Sequence, residues 1–223
     1  MAARTRQREA TRTPLSRDRV LRAAIELADG GGLESLTMRR LAQELGVEAM
    51  TLYYYVANKD EILKGIVELV TGEIELPRAE TDWKDAIRRT ANSAYEILMR
   101  HPWAAGLVLR AGDTPARFRY MDAILGAFRT AGFSAGLTDH AYHAIESHIM
   151  GYTLWEVGMD LGSREELAAL ATAVLEKLPT DEYPHLIEHI HQHLKPRDPA
   201  DQGEFAFGLE LLLDGLERLR DAA

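Results

Sequence analysis

Apolar side chains recur along this chain at intervals of three and four, and no long stretch alternates with period two. That repeat matches the turn of an α-helix and leaves no segment patterned as a half-buried strand, so the expected fold class is all-α. Capping residues and glycines then cut the pattern into pieces. Ser16 stands where an N-cap opens a first helix, with Leu15 and Val20 placed as a hydrophobic staple, and Gly30, Gly31 and Gly32 are expected to end it. Thr37 opens a short second helix that Gly46 closes, and a third is expected over 49–55. Asn58 with Glu61 three residues later forms a capping box for a fourth helix, expected to close at Pro77. Beyond it, helices are expected over 83–100, 103–109, 138–155, 163–178, 182–194 and 200–221. Another starts at Thr114-Pro115, with Gly132 and Gly136 flanking its end.

The 223 residues are enough for a buried core without staples, and no cysteine is present to make disulfides, thiolate metal sites or a thiol nucleophile. No apolar run approaches the roughly 18–20 residues of a membrane span. The basic N-terminus lacks the apolar stretch of a secretory signal, so a cytoplasmic protein with no membrane partner is expected. The net charge of −9 argues at first sight against nucleic acid. It is not evenly spread. Residues 1–59 hold ten basic and seven acidic side chains, while residues 60–223 hold 16 and 28. Seven arginines precede Ala23, so the N-terminus is a basic segment attached to an acidic body.

Two short helices joined through Gly46-Val47-Glu48 and braced on both sides read as a helix-turn-helix, whose second helix can enter a major groove about 12 Å wide. The residues around it are specific. Leu36-Thr37, Leu41-Ala42, Leu45-Gly46-Val47, Thr51-Leu52-Tyr53 and Asn58-Lys59 together resemble the DNA-binding domain of the TetR (tetracycline repressor) family of bacterial regulators. The resemblance implies a recognition helix over 49–55, with Ala49, Met50, Thr51, Tyr53 and Tyr54 facing the groove and Tyr55 and Lys59 on the sugar-phosphate backbone. It also implies a base contact from Arg39 and a phosphate contact from Thr37. In the tetracycline repressor a glutamine and a proline stand where this chain has Ala49-Met50, so its operator does not carry over. Residues 1–15 are expected to form a disordered basic arm, 16–71 the three-helix reader, and 72–223 an effector-binding and dimerisation domain.

A reader of this type works on a two-fold site as a homodimer. Phe205, Leu209, Leu212 and Leu216 step by four, three and four, a heptad seam expected at the dimer interface. The family's two-helix contribution per subunit implies Ile145 and Tyr152 as the second part. A largely apolar pocket with a few polar handles is expected from Tyr95, Met99, Trp103, Met121, Leu125, His143, Ser147 and Trp155, for a small apolar or aromatic effector. No cofactor is expected. The function expected is a ligand-responsive transcriptional repressor, not an enzyme.

Two rivals come from the residues. His185, His189 and His193 share a helical face with Glu188 and His191 adjacent, a spacing that can chelate zinc, nickel or copper, so a metal-responsive regulator is the first. A helical-bundle enzyme is the second. A di-iron carboxylate site needs two Glu-x-x-His motifs, and only Glu188–His191 fits.

Overall fold

The computed structural model describes residues 14–78, 82–111, 113–159, 164–179, 181–195 and 203–222. Of the basic arm, residues 1–13 lie outside that set, as do Ser163 and Ala200, at which two of the helices were expected to begin. Among the described residues every regular element is a helix.

Helix α1 (Arg17–Ser35) is capped by Ser16, whose hydroxyl accepts from the Arg19 amide. The three glycines break this helix rather than end it. Gly31 and Gly32 leave helical geometry, Gly32 at φ 68°, and one more turn follows. The Ser35 hydroxyl donates to the Leu27 carbonyl at 2.7 Å, and Leu36 drops into the core, which together hold the chain past the kink. Helix α2 (Met38–Leu45) starts at the Thr37 cap and stops at Gly46 in the left-handed conformation, as its capping residues require. Helix α3 (Ala49–Leu52) is shorter than expected. The amides of Tyr54 and Tyr55 bond to carbonyls only three residues back, so Tyr53–Tyr55 form a tightened turn. In α4 (Lys59–Gly72) Asn58 accepts from the Glu61 amide, and the Glu61 carboxylate reaches back to the Ala57 amide at 2.6 Å.

The remaining helices are α5 (Trp83–Arg100), α6 (Pro102–Ala111), α7 (Pro115–Thr130), α8 (Ala135–Met159), α9 (Arg164–Leu175), α10 (Pro184–Leu194) and α11 (Gly203–Asp221). Gly132, at φ 90°, makes the turn after α7. Gly136 lies instead in the first turn of α8, because Ser134 rather than Thr138 supplies the opening cap, accepting from the Leu137 amide.

Two apolar cores result. The first is built by α1 to α4, with Val20, Leu41, Leu52, Val56 and Ile66 at its centre, and it also takes Leu107 and Val108 from α6. The second joins α5, α7, α8 and α11 and takes Val70 from the end of α4. Helices α4 and α6 therefore carry surface from both cores, and a boundary at residues 71 and 72 cuts a shared element.

At one place two helices touch nearly backbone to ring. His148 of α8 bonds the Phe205 carbonyl at 2.9 Å and stacks on the Phe205 ring, and a Cβ on Gly208 would stand 2.5 Å from the imidazole. Gly208→Ala is expected to destabilise the fold by about 1–3 kcal/mol, because the overpacking outweighs the gain in helix propensity. Gly126→Ala in α7, where a Cβ meets nothing within 4 Å, is expected to stabilise by about 0.5–1 kcal/mol. Urea unfolding of the two variants gives the comparison, and equal midpoints would refute the close contact.

Candidate DNA-reading face and ligand cleft

The first core holds α3 by a single fully buried residue, Leu52, and turns the rest of the element outward. Met50 is 73% exposed and Tyr54 88% exposed, with Tyr53 half exposed beside them. Met50, Tyr53 and Tyr54 together make an exposed apolar and aromatic patch, of the kind that marks interaction surfaces. Arg39 on α2 is exposed, and Thr37 is exposed at the α2 N-terminus, its oxygen occupied as a cap for the Arg40 amide. Lys59 is exposed with its ammonium 3.5 Å from the Leu33 carbonyl. Ala49, Thr51 and Tyr55 are partly buried, Ala49 and Tyr55 against the first core.

Between the two cores lies an open cleft of about 680 Å³. Asp60, Leu63 and Lys64 of α4 form one wall, Leu107 to Arg110 of α6 another, and Arg117 and Met121 of α7 the floor. Arg117 and Val108 also line a smaller inner cavity of about 20 Å³, walled by Thr71, Tyr120, Glu146, Ile149 and Met150 among others. That volume suits a single water-sized group.

Two donors of the inner cavity converge on one carboxylate. Arg117 donates to Glu146 at 2.7 Å and to the Tyr142 hydroxyl at 3.1 Å, and the Tyr120 hydroxyl donates to the other Glu146 oxygen at 2.6 Å. Burial, and then the Glu146 charge, push the Tyr142 phenol up to about 12 and Tyr120 far above its ordinary value, so both stay protonated. Burial opposes the Arg117 charge, but Glu146 outweighs it and holds the guanidinium above its ordinary value. The Thr71 hydroxyl, buried in the same wall, has no hydrogen-bond partner.

Only Met121 of the eight expected effector residues lines the cleft. Tyr95 stacks on Phe205 and donates to Glu156, while Leu125 packs on the second core. Trp103 donates its indole N–H to Asp29, and Met99 is half buried. His143 and Ser147 are exposed on α8, His143 near Asp139, and Trp155 is exposed further along. The other seven are spread over α5, α6, α7 and α8 and do not meet at this cleft. A grouping of aromatic and methionine side chains does not reach Arg117 and Glu146, although Glu146 falls in the Tyr142, Glu146, Met150 stripe that the structure buries. A charge inside an apolar stripe was the available signal.

Most of the expected heptad seam is buried within the subunit. Phe205, Leu209 and Leu216 are buried in the second core, with Leu212 packed against it, and Ile145 of α8 is equally buried. Phe205, Leu209, Leu216 and Ile145 therefore have no surface left for a partner, whereas Leu212 is only partly buried. Tyr152 is half buried, in contact with Tyr95, Phe205 and Trp155. The exposed large apolar residues of these two helices are Phe207, Leu211 and Leu219 on α11, and Leu154, Trp155 and Met159 on α8. His185, His189 and His193 are exposed on α10, the last two edge to face, and among the described residues no three histidines or carboxylates gather to hold a metal.

A helix-turn-helix with an uncovered reading face, joined through two shared helices to a second helical core with a cleft between, is the build of a two-domain helical regulator. The model of the tetR family of bacterial regulatory proteins matches residues 20–66, and that of the tetracyclin repressor-like C-terminal domain matches residues 76–220. The chain belongs to the tetR family. It is 34% identical over 208 residues to the class D tetracycline repressor protein of Escherichia coli, spanning 91% of this chain and 89% of that one. An HTH-type transcriptional regulator of Saccharopolyspora erythraea is 31% identical over 216 residues, spanning 92% and 86%. Among solved structures, the TetR family protein ActR of Streptomyces coelicolor in complex with actinorhodin superimposes with a TM-score of 0.73 at 25% identity, over 93% of this chain and 99% of that one.

Proposed function

We propose that this protein is a cytoplasmic, homodimeric transcriptional repressor that a small molecule releases from a palindromic operator. The observation that carries the reading is the exposed face of α3 on a well-packed helix-turn-helix, coupled to a cleft whose walls belong to both cores. The relatives named as repressor and regulator, and the ActR complex with actinorhodin, support it. No described helix is long and apolar enough to cross a membrane.

Arg39, Met50, Thr51, Tyr53 and Tyr54 read base edges in the major groove, while Thr37, Tyr55 and Lys59 sit along the phosphates and Ala49 lets the helix approach closely. An effector with an apolar body lies on Leu63, Leu107 and Met121 and turns its polar edge to Arg117, which Glu146 holds in place from the inner cavity behind it. Because α4 and α6 form walls of the cleft and also pack in the reader core, occupancy favours a different spacing of the two readers. Linkage then requires operator DNA to weaken effector binding by the same factor.

The test starts from an operator recovered by selection on random DNA. Arg39→Ala and Tyr54→Ala should each lose about tenfold to a hundredfold in operator affinity, from base contacts of about 1–3 kcal/mol, while retaining weak salt-dependent binding to unrelated DNA. Both side chains are exposed, so the fold should survive intact. Wild-type operator preference in both variants would remove the assignment.

A further inference from the structure

Asp29 stands in α1 immediately before the glycine kink, and Oδ1 of its carboxylate is approached by two side chains from the other domain. The Trp103 indole N–H donates to it at 2.6 Å, and the His101 Nδ1 lies 2.8 Å from the same oxygen. His101 is buried and closes α5, its carbonyl accepting the Ala104 amide as α6 begins, so the clasp grips the joint between those helices. The two rings are themselves in tilted contact, with centroids 5.9 Å apart. Helix α6 then runs on to Leu107 and Val108, which line the cleft and are buried in the reader core.

We infer that Asp29 is a positioning residue that fixes the orientation of the DNA reader relative to the rest of the subunit, by clasping the α5–α6 joint through His101 and Trp103. This rests on the DNA-reading function proposed above. The physical reason is leverage. Just beyond Asp29, Gly31 and Gly32 interrupt the α1 ladder, so the end of α1 has lost the stiffness that continuous helix hydrogen bonds provide. Two directed hydrogen bonds to one carboxylate oxygen restore an orientation there that apolar packing, being non-directional, does not set. A two-fold operator is read by two such orientations at once, so loosening each one relaxes the distance between the readers without altering what either reads.

The experiment uses the full-length protein and the operator selected by the wild type, together with versions whose half-sites are moved one base pair closer or further apart. Wild type should discriminate against the altered spacings by at least about tenfold. Asp29→Ala should hold that difference to about threefold, with unchanged affinity for a duplex carrying one half-site. Asp29→Asn, whose amide oxygen still accepts both hydrogen bonds, should restore the discrimination, and Trp103→Phe should fall between. Discrimination by Asp29→Ala equal to that of wild type would overturn the inference. Amide hydrogen exchange without DNA supplies a second readout: protection across residues 29–36 and 101–105 should fall about tenfold in Asp29→Ala and hold in Asp29→Asn. Unchanged protection in Asp29→Ala overturns the clasp whatever the DNA result. If wild type selects no operator, the DNA-reading proposal fails by itself, and the exchange measurement still decides whether the clasp exists.

Discussion

Phe207→Glu combined with Leu211→Glu is expected to leave a folded monomer that no longer binds a two-half-site operator tightly. Phe207 is 68% exposed and Leu211 59% exposed in the single subunit, one turn apart on α11, and neither supports the core. Beside them α8 presents Leu154 and Trp155, together with Ser147 and Gly151, whose small side chains let a second helix approach closely. A two-fold interface counts each residue twice. Burying a phenylalanine and a leucine is worth about 1.5–3 kcal/mol each, so a double substitution in both subunits removes on the order of 6–12 kcal/mol before like-charge repulsion is added. At about 1.4 kcal/mol per factor of ten, the dimer is lost at any working concentration. Light scattering should report one subunit, and circular dichroism an unchanged helical spectrum. Leu209→Glu is the contrasting case. Leu209 is wholly inside the second core, so that variant should unfold rather than dissociate. A stable dimer of the Phe207/Leu211 variant would move the interface away from this face.

Glu146→Ala is expected to cost about 3–5 kcal/mol, the penalty for leaving a buried partner charge uncompensated. The charge left behind is Arg117, largely enclosed in the same wall, and Tyr120 is left as a buried phenol without its acceptor. The remedy is informative. Arg117→Leu with Glu146→Leu should recover much of the loss, since apolar pairs often replace buried ion pairs at little cost. It leaves the Tyr120 hydroxyl unsatisfied, worth about 1–3 kcal/mol, so adding Tyr120→Phe should recover most of the remainder. Urea unfolding of the single, double and triple variants reads the series. A single variant as stable as wild type would mean that water reaches the site freely. The stabilised triple variant also tests function. It should bind operator normally and fail to release it when effector is added, because the Arg117 guanidinium no longer lines the cleft. Retained release would take Arg117 and Glu146 out of effector recognition.

Much of the reader was legible without coordinates, for a local reason. The caps at Ser16, Thr37 and Asn58 and the stop at Gly46 are contacts within four residues in the chain, and the structure places each where the sequence rules put it. The kink at Gly31 and Gly32 was legible as a break but not as a continuation, because the restart depends on Leu36 being buried by other helices. The early end of α3 has a similar cause: helical spacing of the tyrosines does not reveal that the turn tightens after Leu52.

The cleft and the exposed apolar face of α11 were not legible, since both depend on which stripe of a helix its neighbours claim. α11 is apolar on more than one face, and the regular heptad of Phe205, Leu209, Leu212 and Leu216 looked like the one to share with a partner. Packing turned Phe205, Leu209 and Leu216 inward, against α5 and α8, left Leu212 partly buried, and left Phe207 and Leu211 outside. By itself the sequence determined an all-helical chain with a helix-turn-helix near its start and a basic beginning on an acidic body, because periodicity, capping and charge are properties of neighbours along the chain. Only the tertiary structure decided that Arg117 meets Glu146, that α4 and α6 belong to two cores, and that Asp29 is held by His101 and Trp103. Those pairs lie tens of residues apart in sequence, and no local rule sets the distance between them.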